Sequence, residues 1–150
     1  MERLNQRLAR HDLIGLDTSI FIYHFENHAH YQPFAEAVLM GVQDGQWPAI
    51  ISTITVMELT VHPWRLNRRD VALRYEVLLS NFPHLSLLNV TRQVARQAAQ
   101  LRALYRISPA DALHVATALV HDATAFVTND RGLARLAPAL DIIILDDFVE

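Results

Sequence analysis

The sequence predicts an α/β fold in which a mostly parallel sheet of roughly five strands is covered by helices on both faces. Five short apolar runs alternate along the 150-residue chain with segments that read as helices. Short strands separated by helices form βαβ units, whose right-handed crossovers make neighbouring strands parallel. Hydrophobic residues make up 51% of the chain and glycine occurs only 4 times, which favours one packed core and long regular elements.

The first third of the chain is predicted to contain an N-terminal arm, a strand and two helices. Residues 1–12 are polar and carry both signs of charge, as expected of a short amphipathic helix or a frayed arm. Residues 13–16 form a compact apolar run followed by Asp-Thr-Ser, which is typical of a buried strand that leads into a helix. Helices are predicted for residues 19–27 and 33–43, with a break near Pro33.

A second strand and two more helices follow in the middle of the chain. Residues 49–51 form a short apolar run, and either Ser52 or Thr53 can cap the helix behind it. We expect that helix to end before Pro63, because proline has no backbone N–H to donate. Residues 67–80 are predicted to form the next helix.

The clearest amphipathic helix of the chain follows a third strand, which the mostly apolar residues 85–90 predict. The helix covers residues 92–106. At about 100° per residue, its apolar face contains Val94, Ala98, Leu101 and Tyr105. Such a face packs against a sheet or against another helix.

The last third of the chain repeats the alternation of helix and strand. The segment SPAD at residues 108–111 opens a helix that runs to about Val120, since proline suits the first helical position and Ser-x-x-Asp is a capping box. Residues 124–128 and 142–145 are predicted as the fourth and fifth strands. A short helix over residues 131–137 lies between them.

The composition excludes several kinds of chemistry. The chain has no cysteine, which rules out disulfides, thiolate metal sites and a cysteine nucleophile. All 13 basic residues are arginine, so a phosphate-loop lysine and a Schiff-base lysine are excluded as well. The net charge is -3, so binding of nucleic acid requires a local basic patch. No apolar run suits a membrane span or a signal peptide, and we expect a cytoplasmic protein without membrane contact.

Four acidic residues occupy positions where α/β proteins place their sites. Asp17 ends the first strand and Asp130 lies two residues after the fourth, and ligands of such folds bind beyond the carboxyl ends of the strands. Asp111 is near the start of a helix whose remainder is almost wholly apolar, and Glu58 is the only charge within residues 51–61. Taken singly, the three aspartates can be helix caps and Glu58 can reach solvent.

Together, the four acids would concentrate negative charge at one edge of the sheet. Like charges repel one another and are tolerated where a cation neutralises them. Oxygen ligands suit Mg²⁺ or Mn²⁺, and such an ion can activate water and stabilise the oxyanions of a phosphodiester under attack. The four residues therefore predict a divalent-metal site that serves phosphodiester chemistry.

The segments that carry these acids resemble the PIN domain. In the family's order, and over about residues 13–146, they are LDTSIFIY with Asp17, TVMEL with Glu58, SPADALHVATAL with Asp111 and FVTND with Asp130. The resemblance implies a three-layer α/β/α sandwich and a Mg²⁺- or Mn²⁺-dependent endoribonuclease. Small free-standing domains of this kind are similar to VapC-type toxins, which cleave RNA, often form homodimers and are inhibited by a cognate antitoxin protein.

By motif position, the resemblance implies four catalytic residues that are also the metal ligands: Asp17, Glu58, Asp111 and Asp130. Ser19 and Thr128 match polar positions that support the site, although many family members have asparagine where Ser19 stands. The first strand usually begins almost at the initiator methionine, whereas about twelve residues precede it here. Residues 1–12 would then be an added arm or short helix, and residues 13–150 the nuclease domain.

His114 and two arginine clusters are further candidates. His114 lies one helical turn after Asp111, so it can touch the acidic site or be a buried, hydrogen-bonded core residue. Arginine binds phosphates and stacks on bases, so one cluster is a candidate RNA contact, and the alternative is that both are solvated helix faces. The clusters are Arg65, Arg68 and Arg69 beside Trp64, and Arg92 and Arg96 on the polar face of their helix.

Two other functions are compatible with parts of the sequence. The first is a non-catalytic PIN-like module that binds RNA or a protein, against which the retention of all four acids argues. The second is a phosphatase with an aspartyl nucleophile, which normally has a second acid two residues after the first and a lysine. Ser19 occupies that position and lysine is absent, so the endoribonuclease is the favoured hypothesis.

Overall fold

The computed structural model describes residues 1–150, which form five strands, seven α-helices and two short 3-10 helices. The strands are β1 (Ile14–Leu16), β2 (Ala49–Ser52), β3 (Leu85–Leu88), β4 (Ala125–Thr128) and β5 (Asp141–Ile144). The α-helices are α1 (Glu2–Leu8), α2 (Thr18–Phe25), α3 (Gln32–Gln43), α4 (Ile54–Arg65), α5 (Arg69–Asn81), α6 (Arg92–Leu104) and α7 (Pro109–Val120). The 3-10 helices cover Arg131–Leu136 and Leu145–Phe148.

The strands form one sheet in the order β3-β2-β1-β4-β5, and every neighbouring pair is parallel. This confirms the predicted α/β fold with a five-stranded parallel sheet. β1 lies in the centre, between β2 and β4. The residues that follow β1 and β4 therefore leave the sheet side by side at its carboxyl edge. None of the helices combines the length and the hydropathy needed to cross a bilayer.

Alternate residues of the strands pack against two different layers of helices. Ile14 and Leu16 of β1 belong to a core that includes residues of α1, α2 and α3. Phe126 of β4 belongs to a second core, which it shares with α6 and α7. The second layer approaches β1 closely, since a Cβ at Gly15 would lie 2.8 Å from the Cβ of Ala118 and 2.9 Å from the ring of Phe126. The sheet is thus covered on both faces, which confirms the three-layer α/β/α arrangement.

Helix α4 corrects the expectation that it ends before Pro63. It continues to Arg65, with the buried Pro63 in its last turn. There the missing N–H removes only the hydrogen bond to the carbonyl of Leu59, and the N–H of Leu66 still donates to His62 at 3.1 Å. Proline was therefore a poor marker of the end of this helix.

Strand β3 ends at Leu88, two residues earlier than expected. The carbonyl of Leu88 accepts a hydrogen bond from Thr53 N–H at 3.0 Å, and the chain then leaves the sheet. The hydroxyl of Thr91 accepts from the N–H of Val94 at 3.2 Å and caps α6. The strand thus ends before the cap of α6, which hydropathy alone does not indicate.

Helix α1 is fixed to the sheet at β5. Leu4 and Leu8 are completely buried. Arg7 forms an ion pair with Asp141 at the start of β5 and donates to the carbonyl of Ile142 at 3.3 Å. His11 lies 2.9 Å from the same Asp141 carboxylate. Asp141 therefore holds α1 and β5 together.

Asp141→Asn is expected to lower the free energy of unfolding near neutral pH by about 1 kcal/mol, the scale of a charged hydrogen bond that solvent partly screens. The hydrogen bond from Arg7, together with that from His11, lowers the pKa of Asp141 in the folded protein. Its stabilising effect is therefore present above the unfolded pKa of about 3.9 and is lost as the pH falls through the folded value. Urea unfolding should show a difference between wild type and variant that shrinks in acid.

Asp44→Asn is the control for this prediction, because Asp44 is exposed and forms no ion pair. Its urea midpoint should stay within error of the wild-type value at every pH. Equal losses in the two variants would show that the Asp141 contacts contribute nothing to stability.

Candidate active site

Asp17 lies between the ends of two neighbouring strands. It directly follows β1, and its N–H donates to the carbonyl of Val127 in β4 at 2.9 Å. Its carboxylate accepts from the N–H of Thr18 at 2.8 Å and from the hydroxyl of Thr128 at 2.7 Å. Burial raises the pKa of Asp17, and the hydrogen bond from Thr128 only partly opposes this effect. Asp17 is therefore an oriented carboxylate whose negative charge the protein compensates incompletely.

Thr128 joins Asp17 to Asp130. Its buried hydroxyl donates to the Asp17 carboxylate and accepts from the N–H of Asp130 at 3.1 Å. Asp130 itself is exposed, and its carboxylate accepts from the N–H of Gly132 at 2.8 Å. Asp130 thus caps the first 3-10 helix, the structural role that its sequence position allowed, and it also lies at the rim of the acidic site.

Glu58 is held by buried polar side chains of α2, α4 and α7. Its Oε1 accepts from His114 Nε2 at 2.5 Å and from the hydroxyl of Thr18 at 2.8 Å. The hydroxyl of Thr55 lies 3.0 Å from that of Thr18. The hydrogen bond from His114 lowers the pKa of Glu58. Both donors contact the same oxygen, and Oε2 makes no hydrogen bond within the chain.

Asp111 lies in the first turn of α7 and interacts electrostatically with the other acids. Its N–H donates to the hydroxyl of Ser108 at 3.1 Å, which confirms the predicted cap. Burial raises the pKa of Asp111, Ser108 opposes the shift, and the negative charges of Asp130 and Glu58 increase it. The charge of Asp111 in turn raises the pKa of Asp17. All three other acids therefore lie within electrostatic reach of Asp111.

The donor set suits a divalent cation by its chemistry, although its side chains are not arranged around one. No group of three or more His, Asp or Glu side chains is placed so that it could hold a metal ion. Every candidate ligand is nonetheless a carboxylate, and hard oxygen ligands are those that suit Mg²⁺ and Mn²⁺. Ser19 Oγ, two residues after Asp17, is buried without a hydrogen-bond partner. The residues fit such an ion if side-chain rotations bring the carboxylates together.

Thr18 and Thr55 belong to this site and were not predicted from the sequence. The only local signals are that Thr18 directly follows Asp17 and that Thr55 lies three residues before Glu58, on the same face of α4. Threonine is common at both kinds of position. Their role depends on the packing of α2 against α4, which brings the two hydroxyls together.

A second polar network borders the site on the side of β5. Asn129 Oδ1 accepts from the N–H of Asp146 at 2.9 Å. Arg131 pairs with Asp146 and with Asp147, both at 2.9 Å. Because Asn129 and Arg131 flank Asp130 in the chain, this network connects the acidic site to the C-terminal 3-10 helix.

The two arginine clusters lie on exposed helix surfaces, and neither forms an ion pair with the four acids. The first spans the end of α4 and the start of α5, where Arg68 pairs with Asp70 at 3.3 Å. The second lies at the start of α6. Their members are Arg65, Arg68 and Arg69 in the first cluster and Arg92 and Arg96 in the second.

Comparison with known proteins agrees with this architecture. A family model described as PIN domain matches residues 14–138. A toxin-antitoxin complex from Klebsiella pneumoniae contains a chain that is 24% identical, with a TM-score of 0.65 over 89% of this chain and 97% of that chain. A chain of DNA-bound VapBC from Salmonella typhimurium is 23% identical, with a TM-score of 0.65, and the match covers 89% of this chain and 98% of that chain. A chain of FitAcB from Neisseria gonorrhoeae is 22% identical, with a TM-score of 0.64, and the match covers 89% of this chain and 97% of that chain. No curated protein matches the sequence.

Proposed function

The chain belongs to the PIN domain family, and on this basis we propose that it is a Mg²⁺- or Mn²⁺-dependent endoribonuclease, the toxin of a toxin–antitoxin pair. Nuclease activity is typical of the family. The observation that carries the proposal is the accumulation of negative charge around Asp111, at the carboxyl edge of the sheet. The proposed substrate is RNA and the proposed location is the cytoplasm.

Four carboxylates would hold the divalent ion: Asp17, Glu58, Asp111 and Asp130. A bound ion of this kind lowers the pKa of water and neutralises charge on a phosphodiester under attack. Thr128 orients Asp17 and fixes the backbone of Asp130, while His114 and Thr18 restrain one oxygen of Glu58. The chain's own contribution is therefore to preorganise the carboxylates on rigid elements, with Ser19 as a further oxygen.

Several exposed apolar side chains support protein partners for this chain. Contiguous exposed apolar surface commonly marks a protein interface. The exposed apolar side chains on and next to α4 and α5 are Met57, Val61, Trp64, Leu66, Leu73, Val77 and Leu78. The similarity in fold to a chain of a toxin-antitoxin complex supports a cognate antitoxin as one partner, and we propose a homodimer as well. One of the two arginine clusters is proposed to contact RNA.

A non-catalytic PIN-like module that binds RNA or a protein is the second candidate function. It is favoured by the absence of any three metal-ligating side chains in position to hold an ion. Cleavage of single-stranded RNA by the purified protein, measured with Mg²⁺ and with EDTA, separates the two functions. The nuclease should cleave only with Mg²⁺ or Mn²⁺, whereas the binding module should bind RNA and leave it intact under both conditions.

Expression of the chain without a partner protein is expected to arrest growth of the host, because a free endoribonuclease removes cellular RNA. Asp17→Asn should relieve the arrest. Growth curves at matched protein abundance, verified by immunoblot, provide the measurement. If wild type and variant are equally harmless, the toxin assignment fails even where the cleavage assay is positive.

A further inference from the structure

We propose that an arginine-lined pocket between α1 and the C-terminal 3-10 helix binds a phosphate of the RNA substrate away from the scissile bond. The pocket has a volume of about 240 Å³ and lies between α1 and the C-terminal 3-10 helix. Its lining consists of Arg3, Gln6, Arg7, Arg10, Asp147 and Phe148. None of these residues lies within the range 14–138 that the family model matches. The proposal rests on the proposed ribonuclease function and adds a second contact to it.

Two of the three arginines in the pocket carry uncompensated charge. Arg3 and Arg7 are one turn apart on α1, and Arg10 lies in the turn that follows this helix. The charge of Arg7 is neutralised by Asp141. Arg3 and Arg10 are exposed and form no ion pair with any carboxylate. Their guanidinium groups are therefore free to receive an anion.

Arg3 is also positioned for such a contact. Its guanidinium carbon lies 5.8 Å from the centroid of the Phe148 ring, and Phe148 is 6% exposed. A cation–π contact on the face of the guanidinium leaves the N–H donors at its edge available for a phosphate. A side chain that is already held in place loses less conformational entropy when it binds.

The pocket is linked to the acidic site through Arg131. Asp147 lines the pocket, and its charge is neutralised by Arg131 at 2.9 Å. Arg131 directly follows Asp130 in the chain. An RNA strand bound at the acids that extends past Arg131 toward the C-terminal 3-10 helix would meet the positive charge of Arg3 and Arg10. Because the net charge of the chain is -3, a local contact of this kind is needed to hold a polyanion.

The test compares RNA binding by wild type and by the double variant Arg3→Gln/Arg10→Gln. Fluorescence anisotropy with a labelled single-stranded RNA, in EDTA so that the proposed cleavage is stopped, gives Kd at several salt concentrations. For a single-stranded nucleic acid, each phosphate contact contributes about 0.7 to the steepness with which log K falls against log salt. The double variant, which loses the contact to this one phosphate, should therefore bind about tenfold more weakly, with the slope of log K against log salt reduced by about 0.7.

Two further variants control this measurement. Arg135→Gln removes charge from an exposed arginine that forms no ion pair and belongs to neither arginine cluster, and it should keep the wild-type slope. Arg3→Lys/Arg10→Lys keeps the charge and should restore most of the slope. Arg7 stays unchanged in every variant because it fixes α1 to the sheet.

The outcomes separate this proposal from the function on which it rests. If wild type cleaves RNA and the Arg3/Arg10 variant keeps the slope of the control, the pocket proposal is wrong and the ribonuclease stands. If the variant loses affinity for duplex DNA but not for single-stranded RNA, the pocket serves DNA and the proposal is likewise wrong. If wild type neither binds nor cleaves RNA, the proposed function fails and the pocket proposal fails with it.

Discussion

Asp17→Asn is expected to lower RNA cleavage by about a hundredfold or more, because a misplaced catalytic group costs that much. Asparagine has nearly the shape of aspartate but lacks its negative charge. Its Oδ1 can still accept from the N–H of Thr18. In wild type the Thr128 hydroxyl donates to the other carboxylate oxygen, and in the variant that hydroxyl would face an NH₂ group, which cannot accept the hydrogen bond. The measurement is the initial rate of cleavage with saturating Mg²⁺, with circular dichroism to verify the fold.

Asp12→Asn is the matched control, since Asp12 is exposed and makes no side-chain hydrogen bond in the folded chain. Its cleavage rate should equal that of wild type. Retention of full activity by Asp17→Asn, or cleavage by wild type that persists in EDTA, would exclude the proposed role of the acidic site.

Asp111→Asn should leave the protein without metal at least as stable as wild type. Burial and the charges of Asp130 and Glu58 raise the pKa of Asp111 in the folded state. An acid with a raised folded pKa costs stability above its unfolded pKa, and the cost disappears as the pH falls. Asparagine removes that charge at every pH, and its N–H can still donate to Ser108. Thermal melts in EDTA provide the measurement.

Mg²⁺ should then stabilise wild type much more than Asp111→Asn. A ligand at a hundredfold excess over its dissociation constant contributes about 2.7 kcal/mol by mass action. Melts with and without Mg²⁺ test this for both proteins. Asp122→Asn is the control, because Asp122 is exposed and its φ of 63° suits asparagine. Mg²⁺ should stabilise this variant as much as it stabilises wild type. If Asp111→Asn is clearly less stable in EDTA and gains equally from Mg²⁺, Asp111 is only a structural cap.

The architecture was predictable because a strand that is buried on both faces requires a run of apolar residues, which is visible in a short stretch of sequence. Each strand of a parallel sheet covered on both faces must be apolar on both sides. Apolar runs such as residues 13–16 and 142–145 therefore indicate strands even when the neighbouring strands are not known. The positions of Asp17 and Asp130 followed from the rule that chain segments leave parallel strands at one edge. The end of α4 was not predictable, because the cost of Pro63 depends on how near it lies to the last turn.

The contacts within the site were only partly predictable. Helical spacing placed His114 near Asp111, but the residue it contacts is Glu58, 56 positions earlier in the chain. That contact depends on how α4 crosses α7, and no local pattern encodes a crossing angle. The buried hydroxyl of Thr18 completes the same group for the same reason. The sequence therefore indicated the edge of the sheet at which the four acids lie, while their hydrogen-bond partners depended on tertiary packing.

The attachment of α1 to β5 has a consequence for the solubility of the protein. β5 is one of the two outer strands of the sheet, and an uncovered outer strand can recruit a strand of another molecule. Asp141 N–H points inward to Thr124 at 3.0 Å, so the carbonyl of the next residue, Ile142, points outward. Arg7 donates to that carbonyl and places a charged side chain where an incoming strand would have to pair. The N-terminal helix thus also protects this edge of the sheet against aggregation.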